Sequence, residues 1–77
     1  MAITIRYFAS LRELVGRSED SLEFENDLTV VQLWQRLNGT LAMPPNTLAA
    51  VNMEYMPLNT ELYDGDVVAF FPPVTGG

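Results

Sequence analysis

The chain has 77 residues with ten acids against four cations, a formal net charge of −6. That is room for one small domain, with a sign that opposes nucleic-acid binding, where cationic groups must meet phosphate. The four cations are all arginine, and histidine, lysine and cysteine are absent; disulfides, thiolate metal sites and the usual general base and amine nucleophile are thereby excluded.

Hydrophobic residues make up 48% of the chain, enough for one compact core of moderate stability. Residues 2–8 open directly into an alternating pattern, with no basic leader and cleavage site before it. Ile3, Ile5 and Tyr7 fall on one side of a strand, and Thr4, Arg6 and Phe8 on the other. Phe8 is out of place there, an aromatic ring on a polar face. Ser10-Leu11-Arg12-Glu13 has the spacing of a capping box, which predicts a short helix starting after Ser10; Gly16 can end it in a left-handed conformation. Residues 20–25 alternate again, Leu22 and Phe24 inward and Glu23 and Glu25 outward, as a second strand paired hairpin-fashion with the first. Thr29-Val30-Val31-Gln32 is another capping box, with Leu28 ahead of it as a hydrophobic staple. Val30, Leu33, Trp34 and Leu37 then make one apolar helical stripe that stops at Gly39, so Trp34 is a core residue and not a ligand platform. The stretch from Asn38 to Thr47 holds Gly39 and Pro44-Pro45 and reads as a connection. Leu48 to Asn52 is a short strand, Tyr55 to Leu58 a brief edge strand limited by Pro57, Tyr63-Asp64-Gly65-Asp66 a turn, and Val67 to Phe71 the final strand. No apolar run approaches the length of a membrane span, and the expected location is the cytoplasm.

The order strand, strand, helix, strand, short strand, strand predicts an α+β roll, one amphipathic helix covering one face of a mixed sheet. By analogy with known folds it resembles the β-grasp, ubiquitin-like type, in which the first and last strands lie parallel at the sheet centre. In the final strand Val68 and Phe70 share a face, and Val67, Ala69 and Phe71 the other. If Val68 and Phe70 join Ile3, Ile5 and Tyr7 beneath the helix, Phe71 and Phe8 point outward together on the uncovered face. An exposed apolar patch of that kind marks a docking surface.

The chain then runs Pro72-Pro73-Val74-Thr75-Gly76-Gly77, so residues 1–71 form the expected domain and 72–77 an extended tail. Proline lacks an N–H and fixes φ, so the diproline ends sheet pairing and stiffens the departing chain. Six residues reach at most about 20 Å. Gly76 and Gly77 carry no side chains and can thread a narrow channel. A terminal carboxylate is ionised at neutral pH and a poor electrophile; it must be activated, for example as an acyl adenylate. No G-x-x-x-x-G-K phosphate loop is present, so activation is expected from a separate enzyme.

Three stretches, Phe8 to Gly16, Leu48 to Asn52 and above all Leu62 to Gly77 with its Asp-Gly-Asp strand and Phe-Phe-Pro-Pro-Val-Thr-Gly-Gly end, resemble the family of small, sulfur-carrier subunits of molybdopterin synthase. The resemblance implies a β-grasp fold and a defined cycle. An adenylating enzyme of the ubiquitin-activating type uses ATP and Mg²⁺, neither bound by this chain, to form an acyl adenylate on Gly77. Sulfur from a donor replaces AMP to give a thiocarboxylate, which docks into the large catalytic subunit and passes its sulfur to cyclic pyranopterin monophosphate. The family assembles as a heterotetramer of two small and two large subunits. Phe8 and Phe71 match partner contacts of the family, and Tyr55 falls where the family uses a third apolar contact, a tyrosine there being a departure. Arg12, Pro72, Pro73, Val74 and Thr75 match as partner-binding positions, and Gly76 and Gly77 as the reactive end. The segment between Asn38 and Leu48 is shorter than in many relatives, which puts the second helix sometimes found there in question and leaves the core motifs unaffected. Rival readings are a sulfur carrier for another pathway such as thiamine thiazole synthesis, a protein modifier forming isopeptide bonds through Gly77, and an inert interaction module.

Overall fold

A computed structural model describes residues 1–73. Its elements are β1 (Ala2–Tyr7), α1 (Ser10–Val15), β2 (Glu19–Glu23), α2 (Val30–Asn38), β3 (Leu48–Val51), β4 (Glu54–Met56) and β5 (Val67–Phe71). The strands form one sheet in the order β2-β1-β5-β3-β4. β1 and β5 are parallel neighbours at its centre, with Ile5 opposite Val68 and Tyr7 opposite Phe70, and the other pairs are antiparallel. This is the expected β-grasp arrangement.

Period-two alternation sorts the central strands into two faces. Ile3, Ile5, Tyr7, Val68 and Phe70 are buried together with Val30, Leu33 and Trp34 of α2. Trp34 meets Phe70 edge-on at 5.3 Å and Tyr7 at 6.0 Å. Its indole N–H donates to the Leu41 carbonyl at 2.8 Å, so the buried polar edge is satisfied. The α2 cap forms as the sequence predicts: the Thr29 hydroxyl accepts from the Gln32 N–H while the Gln32 side chain accepts from the Thr29 N–H.

Three local expectations are corrected, and the first is the edge strand, which spans Glu54–Met56 and not Tyr55 to Leu58. The Ser10 capping box is not formed: Ser10 is already the first helical residue, and the cap position falls on Ala9, with φ 53° and no side-chain cap. The chain leaves β1 through a tight reversal in which the Leu11 and Arg12 N–H groups donate to the Phe8 and Ala9 carbonyls. With these donors met by backbone, the serine hydroxyl has no capping task. The second strand spans Glu19–Glu23, not 20–25. Phe24 still donates its N–H to the Met1 carbonyl and, with Leu22, packs half-buried against the core.

The Tyr7 hydroxyl emerges at the edge of the core and donates to Asp20 at 3.0 Å while accepting from the Asn38 amide at 3.3 Å. Arg17 bonds both Asp20 and Asn38 and lies over the Tyr7 ring. Burial pushes the tyrosine above its ordinary titration range; Asn38 opposes the shift and Asp20 adds to it. An unfolded chain releases the tyrosine proton near pH 10, about the free value, while the folded chain holds it to higher pH. The folded state then binds more protons, and stability falls as pH rises through that window. Stability from urea melts is expected to decline as pH rises past about 10, and to decline less in Tyr7→Phe. Parallel declines in the two proteins would remove Tyr7 as the cause.

Candidate functional site

The face of the sheet turned away from α2 is built by the other half of the alternation: Thr4 and Arg6 from β1, Val67, Ala69 and Phe71 from β5, Leu48 and Ala50 from β3, and Tyr55 from β4. Register aligns these residues across strands. Arg6 lies opposite Ala69, Ala69 opposite Ala50, Ala50 opposite Tyr55, and Phe71 opposite Leu48.

Phe8 follows Tyr7 by one position and so falls level with Phe71 at the edge where β1 and β5 both end. Its N–H donates to the Phe70 carbonyl at 3.0 Å, which fixes the backbone, and its ring is 45% exposed. Phe71 is half-buried and meets Tyr55 edge-on at 5.3 Å. Tyr55 is itself 68% exposed, so the Phe71–Tyr55 pair presents a continuous aromatic surface. The outward parity expected of Phe8 and Phe71 is what the structure has. Phe71 is more covered than an isolated outward ring because Tyr55 leans on it.

Beside this pair lies a shallow apolar depression of about 560 Å³, lined by Arg6, Phe8, Ala50, Asn52, Met53, Val67 and Ala69. Its charged margin is the Arg6–Glu19 pair at 3.3 Å. Arg12 is exposed on α1 and borders a neighbouring depression with Arg6, Phe8 and Glu19. It therefore shares a rim with Phe8 but stands apart from Phe71 and Tyr55. Pro72 and Pro73 follow the end of β5 and border a cleft with Leu11, Leu14, Pro44 and Thr47. The tail thus leaves the body between α1 and the connection that precedes β3. Val74, Thr75, Gly76 and Gly77 lie outside the described residues.

Val67 and Met53 enlarge this surface beyond the residues singled out from the sequence. Val67 is 41% exposed, and its place on the open face already followed from the parity of β5. Met53 is placed by the hairpin between β3 and β4, whose two-residue loop has no common turn dipeptide to announce it. The arrangement can bind an apolar partner surface and hold the departing chain at its margin. Among the described residues no helix is long and apolar enough to cross a membrane.

A family model described as the ThiS family matches residues 5–77. The molybdopterin synthase sulfur carrier subunit of Escherichia coli is 44% identical, over 97% of this chain and 99% of that protein. A chain of the protein–protein complex of subunits 1 and 2 of the molybdopterin-converting factor from Helicobacter pylori is similar in structure, with a TM-score of 0.66 at 26% identity and full coverage of both chains. SAMP1 from Haloferax volcanii shares the fold, with a TM-score of 0.77 at 22% identity and full coverage of both.

Proposed function

Because this chain belongs to the ThiS family, we propose that it is the sulfur-carrier subunit of a molybdopterin synthase. The observation that carries the reading is the joint placement of docking rings and tail. The parallel pairing of β1 with β5 brings Phe8, Phe71 and the tail root at Pro72 to one edge of the sheet. A partner that covers Phe8, Phe71 and Tyr55 then receives the tail within a reach of at most about 20 Å from Phe71.

In this reading the reactive group is the Gly77 carboxylate. An adenylating enzyme of the ubiquitin-activating type, using ATP and Mg²⁺, joins a carboxylate oxygen to the α-phosphorus and releases pyrophosphate. Hydrosulfide released by a donor then attacks the acyl carbon, the carbon–oxygen bond breaks with AMP leaving, and loss of the S–H proton gives the thiocarboxylate. The body seats this end in the large catalytic subunit, where sulfur passes to cyclic pyranopterin monophosphate, in a heterotetramer of two small and two large subunits. Pro72 and Pro73 stiffen the approach, Val74 and Thr75 enter the channel of the partner as binding positions, and Gly76 and Gly77 let that channel close on the backbone. Arg12 is proposed as a polar contact at the Phe8 rim. The chain supplies recognition and the acyl group, and binds no nucleotide or metal itself.

Intact mass tests the chemistry. Incubation with the activating enzyme, ATP and a sulfur source is expected to add about 16 Da, oxygen exchanged for sulfur at an activated acyl carbon. Conjugates on other proteins would make the chain a modifier, and an unchanged mass would make the tail inert; either result defeats the proposal. Transfer from the thiocarboxylate to cyclic pyranopterin monophosphate, with the large subunit present, separates this pathway from a thiamine-type carrier.

A further inference from the structure

The loop joining β3 to β4 has two residues, Asn52 and Met53, between the paired Val51 and Glu54. Both sit at positive φ, 51° and 71°, the pattern of a type I′ turn, in which the second position strongly favours glycine. The two residues differ in how well the fold accounts for them. Asn52 tolerates the left-handed region and is tied to β5. Its N–H donates to the Val67 carbonyl at 2.8 Å, its side-chain oxygen accepts from the Val67 N–H, and its amide donates to Asp66 at 2.9 Å.

Met53 has no such account. The residue is 97% exposed, so it adds almost no burial to the fold, and its backbone occupies a region that a Cβ disfavours. Glycine would relieve the conformation and remove an exposed apolar group. Both local effects oppose methionine, and the residue nonetheless stands at the rim of the apolar depression on the open face. An outlier held against local preference in that position points to a task outside the chain.

The neighbouring strands say where the task lies. β3 runs antiparallel to β5, so the loop stands level with Val67, at the far end of β5 from Phe71. The open face is therefore bounded by Phe71 at the tail edge and by Met53 about 13 Å away, four residues along a strand, with Tyr55 between them, level with Ala50 and Ala69. We propose that Met53 is a specificity-determining contact with the catalytic subunit, entering an apolar socket on it and fixing the angle at which the tail is presented. The flexible, polarisable thioether suits a socket of irregular shape. This rests on the reading that the open face docks on the catalytic subunit, and it assigns the far boundary of that footprint.

The test compares Met53→Gly and Met53→Leu in the full chain, with Phe8→Ala/Phe71→Ala as the reference for the face itself. Met53→Gly is expected to raise the urea midpoint while weakening affinity for the purified catalytic subunit about tenfold; Met53→Leu should restore most of the affinity without the gain in midpoint. Opposite signs in stability and binding are what a merely structural turn residue cannot produce. If Met53→Gly binds as tightly as the parent while the double phenylalanine variant does not, Met53 has no docking role and the face keeps its own. If the double variant also binds normally, the face reading falls. A lowered midpoint in Met53→Gly would overturn the conformational argument. A loss confined to self-association of this chain would reassign the contact to a second copy and overturn the proposal.

Discussion

A chain ending at Gly76 should lose sulfur delivery by roughly a thousandfold or more, with affinity for the catalytic subunit nearly unchanged. The truncated chain still ends in a glycine carboxylate, so the chemistry of the terminal group is the same. What changes is reach: the acyl carbon is withdrawn by one residue, about 3.3–3.6 Å. Displacements of about 1 Å already lower rates some hundredfold when reacting atoms must meet at near-contact distance. In the proposed reading the body docks through Phe8, Phe71 and Tyr55, none of which is altered, so binding and transfer should separate cleanly. Single-turnover transfer to the pterin precursor, with binding measured in parallel, decides the matter. Transfer at the parent rate would mean that the reactive carbon is not the main-chain end.

The complementary change is Phe8→Ala/Phe71→Ala, which should leave the tail chemistry competent and weaken association about a hundredfold. Full burial of a phenylalanine is worth about 1.5–3 kcal/mol. Phe8 is partly covered already and Phe71 half-buried against Tyr55, so each has about 1–1.5 kcal/mol left to gain in a partner. Together that is roughly 2–3 kcal/mol, or about 30- to 150-fold in Kd. Aromatic anchors at the centre of an interface commonly carry a share of this size. Neither ring belongs to the buried core, so the fold should survive; loss of the edge contact to Tyr55 would lower stability by about 1 kcal/mol. Titration calorimetry with the catalytic subunit, beside a thermal melt of the free variant, gives both quantities. Undiminished affinity would remove the open face from the interface.

Two motifs of the same form show where sequence reasoning reaches and where it stops. Thr29-x-x-Gln32 caps α2 as its spacing predicts, because an extended residue precedes the helix and leaves its first N–H groups bare. Ser10-x-x-Glu13 has the same spacing and caps nothing, because the chain reverses at Ala9 and backbone carbonyls reach those donors first. The difference lies in how β1 runs into α1, which a four-residue window does not contain. The alternation of Ile3, Ile5 and Tyr7 and of Val68 and Phe70 needed only strand parity, and the same parity sent Phe8 and Phe71 outward. Burial enforces it, since a one-residue slip would expose the whole core set. The adjacency of β1 and β5 was legible only by analogy, as nothing in either strand names its neighbour. Met53 escaped notice because a methionine after an asparagine carries no turn signal, and its position follows from hairpin register alone.

Parallel central strands also decide where labels can go. The backbone ahead of Ala2 lies at the opposite end of the sheet from Pro72, about 20 Å away for a six-residue strand, with the Met1 amine 3.9 Å from Asp64. A fluorophore or affinity handle joined at that far rim should leave the glycine pair free to react, whereas one fused behind Gly77 would turn the acyl carbon into an ordinary amide.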